Sequence, residues 1–306
     1  MVDLKIQLPK GFLEEEVRCE YTVTHEMKKI WAVMLDLLQE FDRVCKKHNL
    51  KYQVNGGTLL GAVRHKGFIP WDDDLDVQMF REDYDKLCEI GPSEFQHPYF
   101  FQSKYTDPGM GTFFAKLRNS NTTAFSEEER NGVTEYNKGI FIDIMPLDNI
   151  PDDAIERERF FKEILEKREQ VIKKGRSFGI FSETKKPLDR LIKKCLFHLF
   201  SYRRKTKIQE FLDVFSEYEQ LCKRYKGQQT RQLANLLFSP PTRNIYHSEN
   251  FEEAIMLDFE FLKVPCAKRY EQELTERYGN WHEFYRDEGH SAFFDTDKSY
   301  TEYTGA

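Results

Sequence analysis

No run of residues in this chain comes near the ~20 apolar positions a membrane-spanning helix needs. The longest uncharged apolar stretches, such as CLFHLFSY at 195–202, stop far short. The opening MVDLKIQLPKGFLEEEVR is broken by charge throughout, so it lacks the n-region and h-region of a secretory signal. The six cysteines (19, 45, 88, 195, 222 and 266) are scattered and form no CxxC pair or metal-ligand spacing. The histidines likewise show no zinc-site spacing. Together these absences predict a reduced cytoplasmic protein with free, mostly buried thiols. Positive charge is not in excess either: a net charge of -6 gives no overall attraction to nucleic acid, so any basic function has to be local. There are no internal repeats and no low-complexity segment.

What is present is enough for a large core. The chain has 306 residues, 40% hydrophobic and 14% aromatic, with a mean hydropathy of -0.68. After an N-terminal extension (1–24), Ile30, Met34, Leu37, Leu38, Phe41 and Val44 recur at helical spacing behind Thr24, a plausible cap. KYQV then reads as a short strand, TLLGAVRH as a short helix beginning near Thr58, LDVQMF as a strand, and REDYDKLCEI as a helix stopped by Gly91-Pro92. The β-rich runs PYFFQS, TFFAKLRN and TTAF follow, then GIFIDIM and a Pro-containing loop. This predicts an α+β unit over 25–150 and a helical C-terminal region over 151–306. In the latter, Asp152 and Asp153 cap a long helix to about Lys174. Helical stretches near 186–200 and 205–225, a Ser-Pro-Pro turn, a strand or hairpin in AIMLDFEFLKVP and a last helix ending at Gly279 complete it.

Chemistry concentrates in NGGTLLGAVRHKGFIPWDDDLDV, residues 55–77. On a strand Asp74 and Asp76 point the same way, with Leu75 and Val77 buried behind them. Two such carboxylates repel unless a cation lies between them, and oxygen ligands suit a hard divalent ion. An EF-hand loop starting at Asp72 fails, because Val77 and Asp83 stand where Gly and Glu are required. A sugar-nucleotide glycosyltransferase DxD and a merely solvated acidic loop stay open. Upstream, Gly56-Gly57 before a short helix lets the backbone approach an anion such as phosphate, with Thr58 at the helix start; an ordinary strand-to-helix turn would look the same. Asp143 is the sole charge between Ile140 and Leu147. It is therefore expected to be paired or metal-bound, as the third carboxylate of a two-metal site. Alternatively Asp143 could face solvent on an edge strand, and Asp148 could be a loop cap.

These residues resemble the LicD family of phosphocholine transferases, which share the nucleotidyltransferase fold of the DNA polymerase β type with fukutin-like proteins. GGTLLGAVRHKGFIPWDDDLDV, CKKHNLKY, KGIFIDIMPLD and VPCAKRYEQELTERYGNW carry the resemblance, over about residues 25–285. The resemblance implies a polymerase β-like mixed sheet with flanking helices. It also implies transfer of a phospho-alcohol from a CDP-activated donor, classically CDP-choline, to a hydroxyl of a cell-surface glycan precursor, with CMP leaving. Gly56 and Gly57 fill the fold's glycine pair, Asp74 and Asp76 its metal-binding pair, and Asp143 its third carboxylate, with Mg²⁺ or Mn²⁺, two ions, as cofactor. Met145 stands where the family often has Phe, an expected change of packing only. A nucleotidyltransferase that leaves the NMP on its acceptor is the alternative within the fold. A silent binding scaffold is less favoured because the carboxylate set is intact.

Several side chains could support that chemistry. Arg64, His65 and Lys66 could contact phosphates or shape their loop, and Asp72 and Asp73 could hold them in place. Lys116 and Arg118, on one strand face, suit a diphosphate, although a solvent-facing edge explains them almost as well. Trp71 could stack on cytosine or meet a choline cation, although core packing explains it equally. The basic amphipathic stretch 185–207 could touch an anionic membrane at the cytoplasmic face, where lipid-linked acceptors reside; a core-facing helix with a charged outer side is the favoured explanation.

Overall fold

The computed structural model describes residues 1–126, 129, 135–178, 201–238, 245–285 and 292–304. Within the N-terminal extension lies a hairpin that the sequence pattern did not announce, β1 (Glu16–Arg18) and β2 (Tyr21–Val23). The extension is tied to helix α1 (His25–Lys47), where Asp36 Oδ1 accepts the Lys5 and Ile6 amides at 2.9 and 2.8 Å. Thr24 caps α1 as expected, its hydroxyl accepting the Met27 N–H at 3.2 Å. The apolar stripe of α1, from Ile30 to Val44, is buried against the sheet.

The first half of the chain then alternates strands and helices: β3 (Gln53–Val54), α2 (Gly56–His65), β4 (Asp76–Phe80), α3 (Arg81–Glu94), β5 (Tyr99–Gln102), β6 (Ala115–Asn119), β7 (Thr123–Phe125) and β8 (Ile140–Asn149). Helix α3 does not stop at Gly91-Pro92. Gly91 instead makes room for a neighbour, since a Cβ there would lie 2.7 Å from the Phe101 ring. Strand β8 also runs through Pro146, which was expected to open a loop.

Strand β8 organises a mixed sheet of seven strands, with β10 (Ile245–His247), β9 (Gln232–Ala234), β8, β4 and β3 in that order and β6, then β5, added alongside β8. It pairs in parallel with β4, and antiparallel first with β6 and then, at its far end, with β9. The sheet's remaining members lie beyond residue 151, among α4 (Ala154–Phe178), α5 (Ser201–Cys222), β9 (Gln232–Ala234), β10 (Ile245–His247), β11 (Ala254–Phe259), β12 (Leu262–Ala267), α6 (Tyr270–Tyr278), β13 (Phe293–Asp295) and α7 (Thr301–Thr304). The C-terminal half is therefore mixed rather than helical, because β9 and β10 complete the central sheet and the segment expected as a strand or hairpin forms the β11–β12 hairpin. Asp153 Oδ1 caps α4 by accepting the Glu156 amide at 2.9 Å. The expected helix at 186–200 and the Ser-Pro-Pro turn lie outside the described residues.

A second core joins α4 and α5 to Phe113, Phe114 and Met145, so Met145 does act as a packing residue. Asp148 is no loop cap: its carboxylate accepts Arg81 Nε and Nη2 at 2.6 and 2.8 Å, both residues being buried. Cys45, Cys222 and Cys266 are buried, while Cys19 is exposed. Among the described residues no helix is long and apolar enough to cross a membrane.

Candidate active site

Parallel pairing of β4 with β8 sets Asp76 directly beside Asp143, about 4.8 Å apart at strand spacing. Both strands are anchored there: the Asp76 amide donates to Thr58 Oγ1 at 2.9 Å, and the Asp143 amide donates to the Leu75 carbonyl at 2.9 Å. Leu75 and Val77 are buried behind, as expected. Asp74 lies ahead of the strand, which begins at Asp76, so regular alternation does not govern its direction. Asp74 is nonetheless close enough to act on Asp76 electrostatically. Burial first, then the charges of Asp74 and Asp143, push the Asp76 carboxyl well above the usual range, with Arg277 opposing.

On the far side of β8, Lys116 stands opposite Asp143, and its Nζ lies 2.5 Å from Asp143 Oδ1 and 3.5 Å from the centre of the Phe141 ring. Burial pushes the Lys116 ammonium down from its ordinary value, against the pull of Asp143. Among the described residues no three His, Cys, Asp or Glu side chains are gathered so that they could hold one metal ion. The crowding of Asp74, Asp76 and Asp143 nonetheless has the chemistry of a hard-cation donor set. In this arrangement Lys116 supplies the counter-charge to Asp143.

The glycine pair faces these carboxylates. Helix α2 starts at Gly56, two residues earlier than expected, with Asn55 Oδ1 accepting the Gly56 amide at 2.8 Å. Gly56 has φ +58°, and a Cβ on it would sit 3.2 Å from Asp76 Oδ2 and 3.3 Å from Arg277 Nη2. A Cβ on Gly57 would sit 2.7 Å from Asp72 Oδ2. The positive φ and the two close neighbours require glycine at 56, whereas a Cβ at 57 would press on the carboxylate end of the Asp72 side chain. The first turn of α2 leaves N–H groups without intrahelical acceptors, aimed at the space beside Asp76. Thr58 contributes by holding Asp76, through its hydroxyl, at the site.

Arg277, which sequence reasoning did not single out, arrives from α6. Its Nη1 donates to Asn55 Oδ1 at 3.0 Å and to the Tyr246 hydroxyl at 3.1 Å. Tyr278, next to it, lies within electrostatic reach of Asp76 and Asp72. The only signal was positional: both residues stand in the C-terminal motif VPCAKRYEQELTERYGNW, with no pattern marking them as functional.

The remaining expected site residues divide. Arg64 donates from Nη1 to the Trp281 and Glu283 carbonyls at 3.0 and 3.1 Å and lies over the Phe284 ring, so it fixes the segment after α6. Burial, with Arg64 and Arg18 nearby, pushes His65 down to about 4, which leaves it neutral at physiological pH. Lys66 is exposed in a left-handed turn, its carbonyl accepting from the Glu260 amide at 2.7 Å. The RHK segment is thus shaped by the β11–β12 turn. Trp71 is half-buried, edge-on to Tyr21 and His65. Arg118 shares the Phe141 ring with Lys116, yet is buried, donating to Gln102 Oε1 at 2.5 Å and to the Gly139 carbonyl at 2.6 Å. It is an interior strut, its strand buried along its whole length among the described residues.

Residues 49–163 match the family described as LicD/FKTN/FKRP, nucleotidyltransferase domain. The chain is 25% identical, over 257 residues, to the lipopolysaccharide cholinephosphotransferase LicD of Haemophilus influenzae; the match covers 81% of this chain and 88% of that one. A shorter segment is 32% identical, over 95 residues, to the ribitol 5-phosphate transferase FKRP of Mus musculus, covering 28% of this chain and 19% of that one. Residues 49–163 are thus a LicD family domain, and most of the chain is similar to one cholinephosphotransferase.

Proposed function

We propose that the protein is a metal-dependent phosphotransferase that moves a phospho-alcohol group from a CDP-activated donor to a hydroxyl of a cell-surface glycan or its lipid-linked precursor, releasing CMP. The observation that carries this reading is the pairing of Asp76 with Asp143 on adjacent parallel strands, facing the glycine-started N-terminus of α2. That juxtaposition suits a phosphate held by backbone N–H groups beside carboxylates. The names of the relatives, a cholinephosphotransferase and a ribitol 5-phosphate transferase, favour a phospho-alcohol as the group moved. A mixed sheet with carboxylates on neighbouring strands also accords with a polymerase β-like fold.

In the transfer, the acceptor oxygen forms a bond to the phosphorus bearing the alcohol. The bond from that phosphorus to the CMP oxygen breaks, CMP departs with the electron pair, and the hydroxyl proton passes to Asp143. Asp74, Asp76 and Asp143 are the residues that would hold Mg²⁺ or Mn²⁺, whose chemistry is to neutralise phosphate charge and acidify the hydroxyl. The amides of the α2 first turn would orient the donor phosphates, and Lys116, next to Asp143, would offset charge as that carboxylate changes state. No Ser or Cys nucleophile is required, because positioning and charge neutralisation dominate such transfers.

Incubation with Mg²⁺ and CDP-choline, CDP-ribitol or CDP-glycerol, with and without glycan acceptors, tests this. Release of CMP from at least one donor is the expected outcome. Consumption of an NTP with none of the CDP-alcohols touched would replace it with nucleotidyl transfer.

A further inference from the structure

The geometry points to Arg277 as a substrate-contacting residue of this site: its guanidinium binds the phosphate of the nucleotide donor from the side opposite the α2 amides. The inference rests on the reading of the site as one for a phosphorylated donor, and adds to it a side chain from the far end of the chain. The guanidinium is held, not free to wander. Nη1 is fixed by Asn55 Oδ1 and the Tyr246 hydroxyl. That leaves Nη2 directed at the α-carbon of Gly56, 3.3 Å from where a Cβ would stand. Among the described residues no acceptor bonds to Nη2, although Asp76 Oδ2 lies near the same point, 3.2 Å from it.

Three features then converge on one small space. Asn55 takes up both the Gly56 amide and Arg277 Nη1, so a single side chain sets the helix start and the guanidinium together. The amides after Gly56 are the outward donors of the first turn of α2. An arginine presents its N–H groups in a planar fork that matches phosphate geometry, which a lysine cannot reproduce. Absence of a side chain at Gly56 is what lets the fork and the amides address the same ligand. The adjoining carboxylates account for the need of an added positive group: a phosphate drawn to the α2 terminus meets Asp72 and Asp76, and Arg277 is the cation within reach of Asp76.

The test is titration calorimetry of the full chain, wild type against Arg277→Met and Arg277→Lys, with Mg²⁺ present. The probes are CMP, inorganic pyrophosphate and the phosphate-free nucleoside cytidine. Charged hydrogen bonds of this kind contribute enough that Arg277→Met should weaken the phosphate-bearing probes about 10- to 100-fold. Cytidine binding and melting temperature should stay near wild type, and Arg277→Lys should recover part of the loss. Unchanged CMP and pyrophosphate binding in Arg277→Met would overturn the inference. So would an equal loss of cytidine, which would mark Arg277 as structural only, or failure of wild type to bind any phosphate probe. Binding of pyrophosphate but not CMP, with the same loss in Arg277→Met, would uphold Arg277 while removing the cytidine-nucleotide donor.

Discussion

At the scale of single residues, the site holds more negative charge than the fold can comfortably neutralise. Asp76 is half-buried and feels the charges of Asp74 and Asp143, with Arg277 as an opposing charge. Replacing Asp76 by Asn should therefore cost about 10²- to 10³-fold or more in turnover. The same change should raise stability by about 1 kcal/mol in EDTA, because it removes like-charge repulsion. Denaturant melts beside a turnover assay check both; a variant that is destabilised yet active would refute the assignment. Gly57→Ala tests the neighbouring contact. Its Cβ would press on Asp72, 2.7 Å away, so activity should fall while the helix itself tolerates alanine well. Full activity in that variant would mean the Asp72 carboxylate moves aside at no expense.

At the scale of elements, one buried ion pair joins distant segments and one buried carboxyl sets a pH dependence. The buried Arg81–Asp148 pair ties the first turn of α3 to the end of β8. Removing one partner leaves the other charge buried, so Arg81→Met should lose about 3–5 kcal/mol in urea unfolding; a loss below 1 kcal/mol would show that water reaches Asp148. Helix α6 carries the buried carboxyl. Glu273 is buried, neither carboxylate oxygen has a hydrogen-bond partner among the described residues, and burial pushes its carboxyl up to about 7. The folded chain keeps this proton above the unfolded value of 4.5. That contribution to stability is thus greatest at low pH and is lost as pH rises from 4.5 to about 7. Glu273→Gln should match wild type near pH 5 and exceed it by up to about 3 kcal/mol at pH 8. A difference that does not grow with pH would mean Glu273 is solvated.

The elements also show what the sequence could and could not reveal. Periodicity located α1, the strands β3 to β8 and the β11–β12 hairpin, because each buries one regular face. It missed the continuation of α3, since a Gly that accommodates the Phe101 ring looks the same as one that ends a helix. It missed β9 and β10 as sheet members because three-residue strands are too short to show a period. Asp76 and Asp143 were legible as charges in apolar runs. Arg277 was not, since its place at the site depends on a contact with Asn55 that lies 222 residues away in sequence.

At the scale of the whole molecule, β8 is the axis. One strand places Asp143 beside Asp76 on β4 and Lys116 on β6, and its far end receives β9 from the C-terminal half. That half contributes twice: it closes the sheet and returns α6 to the glycine pair, so removing residues beyond 250 should abolish transfer even if the domain at 49–163 folds. The most direct measurement is CMP release from CDP-choline, CDP-ribitol and CDP-glycerol with Mg²⁺, in wild type and Asp143→Asn of equal melting temperature. The expected result is release by wild type from at least one donor and its loss in Asp143→Asn. Release that persists in Asp143→Asn, or no release from any CDP-alcohol while an NTP is consumed, would contradict a carboxylate-centred phospho-alcohol transferase.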